Sequence, residues 1–249
     1  MKKYTISIFI LFSSILISIS RSQAQFYSGT DLDFMTLQHS TYMSSVNLIN
    51  ANSDYFAEER RRNKSSSGST ARAATKAKSY NYTPSSSVSA KVKKGIINNI
   101  LKKNPHSLLV EALNEKNNPF PRYVALLNTL GLDVKHNYAD AFTAYMLGMW
   151  RIANKLSANP SKQQIDNVRE QVKTIMDVSD WTNTQKQEAS ENLIYNLIFA
   201  NEPYEGSRLS GNKIQWQADS DAVQNRFLKE HHLNLRKMTI TTSGLVPRK

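Results

Sequence analysis

The chain has 249 residues and not one cysteine. That absence excludes disulfides, thiolate metal sites and cysteine nucleophiles, and with them a lipid anchor on a cysteine beside a leader peptide. No HExxH helix of the zinc-protease kind occurs. GSRLSG at 206–211 is not the G-x-S-x-G elbow of serine hydrolases, and no strand precedes it. A glycine-rich phosphate loop is also missing. Beyond the first two dozen residues, no apolar run approaches the roughly 20 residues that span a bilayer. Acids are absent from residues 60 to 94, which hold ten Lys or Arg. Lys and Arg are absent in turn from residues 25 to 59, which hold five acids. The formal net charge of +12 thus belongs to one segment and not to the whole chain.

The N-terminus reads as a secretory leader. Lys2 and Lys3 precede a serine-diluted apolar core from Ile6 to Ile19, and Ser22-Gln23-Ala24 supplies small residues where a signal peptidase reads. Cleavage is expected after Ala24, giving an exported protein, periplasmic or extracellular. Residues 25 to 59 scatter Phe34, Leu37, Tyr42, Met43, Val46, Leu48 and Ile49, enough for one short helix near 32 to 50. Residues 60 to 84 are rich in Ser, Thr, Ala and Lys. They bury too little apolar surface to offset their ordering entropy, so they read as a disordered basic linker. Arg60, Arg61, Arg62, Lys64, Arg72, Lys76 and Lys78 are candidate anion contacts there, for lipopolysaccharide, nucleic acid or an acidic partner. The competing reading of the same charges is a solvated, self-repelling tether.

From residue 85 to 249 apolar residues recur at three and four, punctuated by Pro and Gly. Ser85 to Ser87 can cap a helix carrying Val88, Val92, Ile96, Ile97 and Ile100, which Asn104-Pro105 ends. Short helices follow near 107–113 and 120–130, and Gly131 stops the second. A helix over 138–155 is apolar on most sides and therefore central. Ser161 with Gln164, and Thr182 with Gln185, have capping-box spacing for the next two helices. Pro203 and Gly206 mark a loop, and a last helix over 212–229 carries Ile214, Ala218, Ala222, Val223 and Phe227. In the tail, Met238 and Ile240 fit one short strand with no ladder partner, lying along the helices. Its end, SGLVPRK, resembles part of a protease-cleavable tag, although the leader at the other end favours a natural terminus. The expected fold is all-α: a single bundle-like domain of five or six helices behind a signal peptide and linker.

Four stretches carry a family resemblance: YTPSSSVSAKVKKGIINNIL, LGLDVKHNYADAFTAYMLGMW, TQKQEASENLIYNLIFA and the late GLVP. In this order they resemble an uncharacterised family of exported bacterial proteins, a domain of unknown function, over roughly residues 80 to 245. The resemblance implies an exported helical domain. It brings no activity, cofactor or catalytic residue.

His136 and Asp140 lie four apart and would share a helical face if both were helical. Asn137, however, is well placed as the helix cap. That leaves His136 outside and makes Asp140 the third helical residue, reaching back toward unpaired backbone N–H groups. His231 and His232 fall near a helix C-terminus, where a partly cationic imidazole suits the dipole. Glu188 and Glu191 form ExxE without the ExxH of a di-iron bundle. Trp150, Trp181, Trp216, Phe142, Tyr145 and Phe227 fall on or beside helical stripes and read as core. The residues name no catalytic group, metal ligand or cofactor. They fit a non-enzymatic binding or structural module of the cell envelope, its partner an envelope protein or an anionic surface. The alternatives are an envelope hydrolase whose acids meet only in three dimensions, and an anionic-surface binder acting through residues 60–94.

Overall fold

The computed structural model describes residues 79 to 107, 109 to 113 and 118 to 248. The expected leader, the N-terminal helix and the seven candidate anion contacts from Arg60 to Lys78 all lie outside the described residues. Seven α-helices follow in order: α1 Ser86–Lys103, α2 Leu109–Ala112, α3 Phe120–Thr129, α4 Tyr138–Ala153, α5 Lys162–Ile175, α6 Asn183–Leu209 and α7 Lys213–His231. A 3₁₀ turn at Leu235–Lys237 leads into β1 Met238–Thr241 and β2 Gly244–Pro247. The described residues form an all-α domain, its seven helices falling on the segments expected from the sequence, with a small hairpin that was not foreseen.

Helix α4 is the axis. Every residue of it except Gly148 is buried, as a helix apolar on most sides requires. It packs against α5, α6 and α7. A Cβ at Gly148 would collide with Cδ1 of Leu197 on α6, so glycine lets the two longest-buried helices touch there. Both capping boxes form, Ser161 with Gln164 and Thr182 with Gln185.

Helix α6 is long because it passes through Pro203 and Gly206 instead of breaking there. Pro removes one ladder hydrogen bond and crowds the preceding turn. The turn just beyond it is held by tertiary contacts that outweigh this. Tyr204 is buried and donates to the Leu156 carbonyl at 3.1 Å, Glu205 pairs with Arg151, and buried Ser207 donates to Asp219 at 2.6 Å. Ile214, assigned to the core stripe of the last helix, is 86% exposed. That helix buries Val223 and Phe227 of the expected stripe, with Asp219 and Ser220 beside them.

The two ends of the body are stapled by glutamine side chains. Residues 79 to 84, assigned to the linker, belong to the body. Tyr80 and Tyr82 are buried, their hydroxyls donating to the carbonyls of Lys173 and Val134, and Asn81 pairs with Asn137 in an antiparallel bridge. Gln187 then reads the backbone of Ser85, accepting its N–H at 2.8 Å and donating to its carbonyl at 2.8 Å. At the other end the strand finds its ladder partner in the tail itself: β1 and β2 are antiparallel, with Met238 opposite Pro247 and Thr241 opposite Gly244. Gln171 of α5 accepts the Leu245 N–H at 2.8 Å and donates to its carbonyl at 3.0 Å. Leu245 is buried, so GLVP packs as part of the fold.

Candidate functional site

The HNYAD segment is a structural node. Asn137 Oδ1 accepts the Asp140 N–H at 3.1 Å and caps α4. Asp140 does not reach back to the Asn137 N–H, because that group already donates to the Asp133 carbonyl at 3.0 Å. Its carboxylate takes the Asp133 N–H at 2.8 Å and Nε of Arg169 at 2.6 Å. His136 lies outside the helix and turns to Asp133, 2.8 Å away at the surface. The pair that looked like a site is thus split between two structural duties.

The other sequence-marked acids and histidines are equally engaged. Glu188 meets Lys91 at the surface. Glu191 faces α1, accepting from Ser89 Oγ at 2.6 Å and Gln187 Nε2 at 2.8 Å. Burial raises its carboxyl above the usual range against those two hydrogen bonds. His231 is not a cationic cap. Burial holds its pKa down to about 4, so the ring is neutral at pH 7. It lies edge-on to Phe227. Among the described residues, no group of three or more His, Asp or Glu could hold a metal ion.

What the fold does build is a cavity of about 250 Å³. Helices α3, α4 and α6 wall it, and the loop of residues 157–160 with the start of α5 closes the side. Leucines make the wall: Leu126, Leu127, Leu130, Leu132, Leu147 and Leu197. They converge because α3 offers an apolar face to α6, Gly148 lets Leu197 come close to α4, and Ala144 is small where a larger side chain would fill the space. Ser157 and Asn159 are exposed, and Leu126 is 48% exposed, so the opening lies between the loop and α3.

One end of the cavity is polar. Arg151, the one basic residue of α4, is buried and lies over the Tyr204 ring, 5.3 Å from its centroid. Its Nη1 donates to Glu205 at 2.7 Å and to the Leu156 carbonyl at 3.2 Å, and its Nη2 donates to Asn201 Oδ1. Asn201 Nδ2 donates in turn to the Tyr123 hydroxyl at 2.6 Å. Burial pushes the Tyr123 phenol well above its ordinary pKa, so it stays neutral. The second oxygen of Glu205 is held by Arg208, at 2.8 Å from Nε. Among the described residues, Glu205 is the only carboxylate that lines the cavity. Tyr123, Arg151, Asn201 and Glu205 went unmarked in the sequence. The lone arginine amid FTAYMLGMW-RIA was the one local signal that could have found them.

No protein-family model matches the chain, and neither curated proteins nor solved structures give a match. No helix among the described residues is long and apolar enough to cross a membrane.

Proposed function

We propose that the protein is an exported, non-enzymatic binding module of the cell envelope, and that its cavity receives a small, mostly apolar ligand. The observation that carries this is a leucine-walled space with one ordered polar end, the pattern of a ligand pocket in which a few placed polar groups set orientation. At the ~30 Å³ that one water occupies in the liquid, 250 Å³ holds roughly eight heavy atoms. Export rests on the leader, with its charged start, apolar core and Ser22-Gln23-Ala24 cleavage site.

The pocket is tested by titrating the protein with straight-chain alcohols from butan-1-ol to decan-1-ol in a calorimeter, beside Ala144→Leu, which fills the space. Saturable binding by the wild type, abolished in Ala144→Leu, supports the reading. Absence of binding along the whole series, or binding unaffected by Ala144→Leu, removes it. Export is tested by fractionating cells and sequencing the mature N-terminus. A start at Gln25 outside the cytoplasm supports it, and an intact leader in the cytoplasm refutes it.

A further inference from the structure

Two guanidinium groups meet one carboxylate at the polar end of the cavity. Arg151 and Arg208 both engage Glu205, each on its own oxygen. The nearby Glu202 does not redress the balance, because it pairs with Arg122 at 2.7 Å. The cluster therefore carries one positive charge in excess. Arg151 also has donors to spare: a guanidinium has five N–H groups, and three are committed, to Leu156, Glu205 and Asn201. Glu205 faces the same space and repels an anion. Both its oxygens are already neutralised by charge-assisted bonds, however, and its charge is outnumbered.

We infer that the ligand is a short-chain or medium-chain carboxylate, its chain among the leucines and its head on Arg151. The inference rests on the cavity being a ligand site, and it adds the identity of the head group. An alcohol of the same length would fill the apolar wall equally well but would leave the excess positive charge uncompensated. A carboxylate on a guanidinium makes a charge-assisted pair with both partners ionised, stronger than the bond a neutral hydroxyl accepts from the same group, and this surplus separates the two ligands.

The test compares hexanoate with hexan-1-ol on the full chain at pH 7, by calorimetry, in the wild type, in Arg151→Met and in Ala144→Leu. The expected result is hexanoate binding tighter than hexan-1-ol by about tenfold or more. Raising the salt should narrow the gap, and Ala144→Leu should lose both ligands. Arg151→Met should bind the two alike. Equal binding in the wild type overturns the head-group inference and leaves the pocket standing. Binding of neither ligand overturns both. Should Arg151→Met fail to fold, the wild-type ratio and its salt dependence decide alone, and a ratio indifferent to salt counts against the inference.

Discussion

Arg169 Nε lies 2.6 Å from Asp140 Oδ1, and this contact ties the start of α4 to the middle of α5. The other oxygen of Asp140 holds the Asp133 N–H, and Arg169 reaches on to Asp166 at 2.8 Å and to the Gly131 carbonyl. One buried carboxylate therefore orders the turn before α4, the helix start and the neighbouring helix together. A simple first-turn acid would do only one of these.

Removing that carboxylate should cost more than a lost cap. An Ncap truncation costs ~1 kcal/mol, whereas a buried hydrogen bond to a charged group adds roughly 1.5–3 kcal/mol. Asp140→Ala is expected to lower unfolding free energy by about 2–3 kcal/mol, because it leaves the Asp133 N–H unpaired and takes one partner from Arg169. Asn137→Ala is expected to cost about 1 kcal/mol. Urea denaturation of both variants measures the difference, and an Asp140→Ala loss no larger than that of Asn137→Ala would refute the node.

The sequence shows α4 and the capped helices plainly, because their information is local. Ser161 with Gln164, and Thr182 with Gln185, sit three apart in the chain and need no tertiary partner to be recognised. Pro203 misleads because the forces that carry α6 past it come from Arg151 and Asp219, 52 residues before it and 16 after. The cavity was hidden for the same reason. Tyr123, Arg151 and Glu205 lie on three helices, and nothing in their spacing announces that packing brings them together. The hairpin was missed because a four-residue strand reads as extended chain until its partner is known.

Gly244 carries the hairpin's junction with α5. Its φ is +96°, which an L side chain adopts only with strain of roughly 1–2 kcal/mol, and a Cβ there would strike the Gln171 side chain. Gly244→Ala is expected to destabilise by about 2 kcal/mol or more, combining that strain with loss of the paired Gln171–Leu245 hydrogen bonds. Gln171→Ala removes the same bonds and the two nearest colliding atoms, Oε1 and Cδ, and leaves only Cβ close by. Gly244→Ala should therefore cost less in a Gln171→Ala background than alone, a coupling that a double-mutant cycle reads directly. Strictly additive losses would show that the two residues act separately.

Two buried groups give the protein opposite responses to pH. His231 has a folded pKa of about 4 against 6.5 for the free ring. Between those values the unfolded chain binds the extra proton, so this contribution is intact above pH 6.5 and is lost as pH falls toward 4. Arg226 and His232 reinforce the shift by repulsion, after burial itself, while the Glu230 backbone opposes it. Glu191 runs the other way. Its folded pKa lies above 4.5 through burial, so the folded chain holds the extra proton. Stability from this group is fullest below 4.5 and falls as pH rises through the raised value. Glu191→Gln keeps an acceptor for Ser89 and Gln187 but carries no charge. It should be more stable than the wild type at pH 7, with the advantage gone by pH 4. His231→Leu should flatten the acid side of the profile between pH 6.5 and 4. Urea midpoints measured at one-unit steps from pH 4 to 8 test both, and a Glu191→Gln protein less stable at pH 7 than at pH 4, relative to wild type, would reverse the sign assigned to that carboxyl.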